Sequence, residues 1–97
     1  SDLSWLQTWY RSQCDGTWEH SYGVKIDTLD NPGWSVEIDL RDTALAEALF
    51  TQVRWSRDSE EWIDCRVEAG RFMGRGGASN LSDLIAKFRE WAERQGS

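Results

Sequence analysis

Tyr22-Gly23-Val24-Lys25-Ile26-Asp27-Thr28-Leu29-Asp30-Asn31-Pro32-Gly33-Trp34-Ser35-Val36-Glu37-Ile38-Asp39-Leu40 alternates with period two on both sides of a turn signal. Tyr22, Val24 and Ile26 share one face, and Gly23, Lys25 and Asp27 the other. Trp34, Val36, Ile38 and Leu40 repeat the apolar set, with Glu37 and Asp39 opposite. The pattern predicts two half-buried strands joined through Pro-Gly. A one-residue slip would turn every side chain to the wrong face, so the loop holds an odd number of residues. A three-residue loop would set Asp27 across from Glu37. A five-residue loop, Leu29 to Gly33, sets Lys25 there instead, and opposed charges contribute roughly 0.2–1 kcal/mol where like charges cost as much. The longer loop is favoured, with Pro32-Gly33 at the centre of a type II turn.

Upstream, Leu3, Leu6, Trp9 and Tyr10 recur at helical spacing, so a helix is predicted over residues 3–13, capped by Asp2 or Ser4 and stopped before Asp15-Gly16. Trp18-Glu19-His20 reads as the entry to the hairpin, placing Trp18 and Trp34 at its two ends. Downstream, Asp42 or Thr43 caps a short helix over residues 44–50. Strands are predicted around residues 52–57 and 62–68, flanking the turn Asp58-Ser59-Glu60. Arg71-Phe72-Met73 adds an edge strand, and Gly74-Arg75-Gly76-Gly77 a flexible connection. Asn80 caps the last helix with Asp83 at its third position, as in a capping box. Its apolar stripe is Leu81, Leu84, Ile85, Phe88, Trp91 and Ala92. The sum is an α+β fold: a mostly antiparallel sheet of four to five strands, with N-terminal and C-terminal helices packed on one face, forming a single domain over residues 1–97.

Composition narrows function. Eleven basic and 17 acidic side chains give a net charge of −6. That balance disfavours nucleic acid or an anionic membrane as ligand and suits a basic protein partner. No apolar run approaches a membrane span, and no signal-peptide h-region opens the sequence. Cys14 and Cys65 lack motif spacing and read as reduced thiols of a cytoplasmic protein. Seven tryptophans in 97 residues exceed what so small a core needs. Trp91, Trp9 and Trp34 follow the apolar parity; of Trp5, Trp18, Trp55 and Trp62, one or two should reach the surface, Trp18 first. Exposed indoles are favoured anchors of protein contacts.

No catalytic set is assembled. His20 follows Glu19 directly, and neighbours on a strand point to opposite faces, so the acid cannot orient the imidazole. Neither cysteine has the positive surroundings that activate a thiol. Cys14, His20 and the nearby acids lack metal-ligand spacing, and no cofactor is expected. The glycine run before the last helix supplies the alternative reading: a small-ligand or anion site built on Arg75, Gly76 and Gly77 beside a tryptophan-lined pocket. The run lacks the P-loop lysine and the dinucleotide fingerprint. A recognition surface for a protein is the stronger reading, with Asp27 and Glu37 on the solvent face of the hairpin, Asp30 in its loop, and Trp18 and Glu19 at its entry.

Trp18-Glu19, within Cys14-Asp15-Gly16-Thr17-Trp18-Glu19-His20, and Pro32-Gly33-Trp34, within Thr28-Leu29-Asp30-Asn31-Pro32-Gly33-Trp34, resemble the Trp-Glu and Pro-Gly-Trp motifs of the immunity protein 53 family of bacterial polymorphic-toxin systems. The likeness runs over nearly the whole chain. It implies a non-enzymatic cytoplasmic antitoxin that binds and blocks a cognate toxin; the acid excess adds a basic, nuclease-type target. The resemblance carries over no binding residues.

Overall fold

The structure, a computed structural model describing residues 1–96, runs α1 (Asp2–Gln13), α2 (Trp18–Ser21), β1 (Val24–Leu29), β2 (Gly33–Asp39), β3 (Val53–Ser56), β4 (Trp62–Glu68), β5 (Arg71–Gly76) and α3 (Leu81–Arg94). The five strands form one sheet in the order β1-β2-β5-β4-β3, antiparallel at every contact. The α+β class holds.

The hairpin register is the expected one: Lys25 pairs with Glu37. The ladder extends one pair further, to Leu29 and Gly33, leaving Asp30, Asn31 and Pro32 as the loop. Gly33 does not take the positive φ of a type II turn; the positive-φ glycines are Gly16, Gly70 and Gly96. Close approach explains Gly33 instead, because a Cβ there would lie 2.3 Å from the Gly76 carbonyl oxygen.

Strand β5 departs most from expectation. It runs from Arg71 through Gly76 at the centre of the sheet, so the Gly74–Gly76 stretch is strand rather than connection. Its glycines lie where neighbours come close: a Cβ on Gly74 would meet Leu84 and Phe72 at 3.3 Å each. The β4–β5 turn is Ala69-Gly70, with φ of 53° and 77°, the two positive values of a type I′ hairpin. The predicted helix over residues 44–50 does not form. Thr43 Oγ1 accepts from Leu45 N–H, and isolated i→i+3 bonds run from Ala46 to Thr43 and from Ala48 to Leu45. In its place a helical turn, α2, forms over the Trp-Glu motif. Ser1, rather than Asp2 or Ser4, caps α1, its hydroxyl accepting from Ser4 N–H at 3.2 Å.

The core lies between one face of the sheet and the two long helices. Val36, Ile38, Ile63, Cys65 and Phe72 are fully buried beneath Leu84, Phe88, Trp91 and Ala92 of α3. Helix α1 adds Leu6 and Trp9, with Trp5 and Trp9 edge-on to Phe88 at 5.8 and 5.0 Å. Burying each such side chain contributes about 1.5–3 kcal/mol. Among the described residues no helix is long and apolar enough to cross a membrane.

Candidate functional site

Both long helices sit on one side, so the other side of the sheet is uncovered. Strand parity assigns it Lys25 and Asp27 from β1; Ser35, Glu37 and Asp39 from β2; Arg71, Met73 and Arg75 from β5; Trp62, Asp64, Arg66 and Glu68 from β4; and Arg54 and Ser56 from β3. These side chains include five acids and five bases, so the face is formally neutral. The remaining twelve acids and six bases carry the whole net charge of −6. The acid-rich hairpin face expected from β1 and β2 is therefore a charge mosaic, because β4 and β5 bring four arginines to it with β3.

Two clusters organise the mosaic. Asp39 accepts from Arg41 at 2.9 Å, from Arg71 Nε at 3.1 Å and from Gly23 N–H at 3.1 Å. Partial burial alone would raise the Asp39 pKa, but the Arg41, Gly23 and Arg71 donors outweigh it and hold the carboxyl below its ordinary value. Asp64 is held low in the same way: against partial burial stand Arg66 at 3.0 Å, Gln52 at 3.1 Å and Arg54 at 3.6 Å. Between the clusters, Lys25, Asp27, Glu37 and Arg75 form no ion pair among the described residues. These four are free to engage a partner.

Relief on the face is shallow. A depression of about 350 Å³ is lined by His20, Lys25, Glu37, Asp39 and Arg71 among others. Another of about 200 Å³ is formed by Trp62, Asp64, Arg66, Glu68 and Arg75. Trp62, half-buried, is the single tryptophan that β-strand parity puts on this side. A third hollow, about 400 Å³, opens between Trp55 and Trp62 at the β3 edge.

The residues singled out in the sequence divide. Asp27 and Glu37 lie on the open face and Asp30 at the hairpin tip, so these three share one region. Trp18 and Glu19 belong elsewhere, at the far end of the hairpin. Trp18 is 3% exposed, packed against Trp9, Tyr10 and Tyr22, and its Nε1 donates to the Arg41 carbonyl at 2.9 Å. The Glu19 carboxylate closes the α1–α2 turn by accepting from Asp15 N–H at 3.0 Å and Gly16 N–H at 2.9 Å. Asp15 returns the arrangement, taking the Thr17 and Trp18 N–H groups on one oxygen. Hydrogen bonds from its own amide and those of Asp15 and Gly16 lower the Glu19 pKa, and those from Trp18 and Thr17 lower that of Asp15. Trp-Glu is thus a structural clasp. The sequence reading missed Arg71, offered Arg75 only for the anion alternative and left Trp62 as one of four surface candidates; the signal that joins them on this face was the even parity of residues 62–68 and the odd parity of residues 71–75.

The anion reading loses its donors. Gly76 lies in the β5 ladders and Gly77 N–H donates to the Trp62 carbonyl at 3.0 Å, while Arg75 points from the open face. Space closes in as well: a Cβ on Gly77 would stand 2.0 Å from the Glu60 carbonyl oxygen. His20 borders the open face, whereas Cys65 lies beneath the helices on the other side of the sheet. Burial, reinforced by the Asp64 charge, pushes the Cys65 thiol up to about 12.

No curated protein matches the chain, and no solved structure does. The model of the immunity protein 53 family matches residues 3–93. That match takes in both tryptophan motifs and all five strands, and the chain belongs to the immunity protein 53 family.

Proposed function

We propose that this protein neutralises a cognate toxin domain in the cytoplasm by stoichiometric binding through the uncovered sheet face, performing no chemistry of its own. Family membership over nearly the full chain supports the immunity role. The observation that carries the choice of surface is a five-stranded face with four uncommitted charges and one tryptophan, left bare while the other face holds the entire core. Antiparallel sheets are stable with one face wet, so such a surface is available without loss of fold.

The target in this reading is a basic, nuclease-type toxin. Charge complementarity supports it in an uneven way. Asp30 in the β1–β2 loop and Asp58, Glu60 and Glu61 in the β3–β4 loop rim the same end of the sheet, since Trp34, Gly76 and Ile63 share one row. This acidic rim steers a basic partner, and the balanced mosaic then sets its register.

Co-expression with a cognate toxin domain provides the test. Growth should be rescued and a one-to-one complex should co-elute. Glu37→Arg and Arg75→Glu should each weaken the complex on the order of tenfold or more. Glu90→Lys, on the outer side of α3, should leave it intact. Failure of rescue with no complex rejects the function; equal loss from all three variants, or none, rejects the face.

A further inference from the structure

The sheet has two free edges, and they are built differently. Edge β3 is four residues long and bears Arg54, with Arg57 stacked 5.2 Å over the Trp55 ring just beyond it. A short strand with cations along it is a guarded edge. Edge β1 is six residues long, and apolar surface lies beside it. Leu3 is 54% exposed, Ile26 40% and Tyr10 39%. With Leu6, Gln7, Gly23 and Val24 they line a groove of about 330 Å³ between α1 and β1.

Backbone polarity on β1 follows from the ladder. Asp39 N–H donates to the Gly23 carbonyl at 3.0 Å, which makes Gly23–Asp39 a hydrogen-bonded pair. Alternation then gives Lys25–Glu37, Asp27–Ser35 and Leu29–Gly33 the bonds to β2. Val24 and Ile26 are left with their N–H and C=O groups directed outward, and Thr28 with its carbonyl, while its N–H donates to Asp27 Oδ1 at 2.8 Å and would exchange that acceptor on pairing.

We infer that β1 pairs antiparallel with β1 of a second copy, about a two-fold axis at Ile26, joining two sheets into one of ten strands. In that register the Ile26 residues of the two copies exchange hydrogen bonds, and Val24 of each faces Thr28 of the other. On the open face Lys25 of each copy stands across from Asp27 of the other, twice over. The strand is therefore charge-complementary to its own reverse, and Lys25 and Asp27 both lack an ion-pair partner among the described residues. On the helix side Leu3, Tyr10 and Ile26 lose their exposure to water. Any register displaced by two residues breaks the Lys–Asp match.

Sedimentation or light scattering of the purified chain tests this. The native protein should have about twice the 11.2 kDa chain mass in the micromolar range. Lys25→Asp alone sets like charges against each other and should weaken the dimer roughly tenfold or more, as should Asp27→Lys alone. Mixing those two variants should restore a heterodimer, and the double swap K25D/D27K should dimerise by itself. Ile26→Pro removes an outward N–H that the β1–β2 ladder does not use, together with a partly exposed side chain, so it should give a folded monomer by circular dichroism. A native chain that stays monomeric overturns the proposal. So do single swaps that dimerise as well as the native protein. A monomer that takes up a strand only from the toxin assigns the edge to that partner instead.

Discussion

Three indole N–H groups each hold a distant carbonyl: Trp18 the Arg41 oxygen at 2.9 Å, Trp34 the Ala78 oxygen at 2.9 Å, and Trp91 the Leu49 oxygen at 2.8 Å. Each carbonyl belongs to an irregular segment that no ladder or helix satisfies. A large ring that packs on one side and donates from the other suits that task, and it accounts for much of the tryptophan excess without any interface. Trp18→Phe should cost about 2–4 kcal/mol by removing ring volume and orphaning the Arg41 carbonyl, as read from urea midpoints. Gly33→Ala should be as damaging for a steric reason, about 1–3 kcal/mol, because the added Cβ would stand 2.3 Å from the Gly76 carbonyl oxygen and a backbone atom in the ladder cannot move aside cheaply. The reverse holds at Ala69, which sits at φ 53° where a Cβ is strained. Ala69→Asn should stabilise the fold by about 1 kcal/mol.

Elements were legible where periodicity and burial agreed. Helices α1 and α3 and the β1–β2 register follow from apolar spacing, since one sequence pattern has one buried face to satisfy. Residues 44–50 misled because alanine and leucine favour helix locally, yet tertiary contacts bind the segment through single turns and the Trp91–Leu49 bond. Strand β5 was hidden by glycine, which reads as a breaker although two of its glycines make room for α3 and a neighbouring strand. Charged positions on β1 and β2 could be placed by parity alone, but the strand order was needed to bring Trp62 and the arginines beside them. Asn80 illustrates the same limit on local rules. It stands at the expected N-cap, but its Oδ1 accepts from Trp62 N–H at 3.2 Å and its Nδ2 donates to Asp83 at 2.8 Å. It ties α3 to β4 rather than closing a capping box. Asn80→Ala should cost about 1–3 kcal/mol, measured by thermal unfolding, because it takes away the acceptor that the amide of half-buried Trp62 now uses.

For the molecule as a whole, the separation of charge from structure governs acid sensitivity. Asp39 and Asp64 have folded pKa values below the ordinary Asp value of about 3.9. A depressed folded pKa adds stability that is fully present above the unfolded value and disappears as pH falls through the folded one. Unfolding midpoints should therefore be level through neutral pH and drop below about pH 4. Replacing both by Asn should flatten that drop while lowering the neutral plateau.

The two thiols offer a way to watch the whole assembly come apart. Cys14 is half-buried at the end of α1, while Cys65 is sealed on β4 beneath the helices with a thiol pushed up to about 12. A maleimide at neutral pH should find one site in the native chain and a second only when helix and sheet separate. The labelling rate at Cys65 then becomes a clock for global opening, and binding of a toxin should slow it in proportion to the protection conferred.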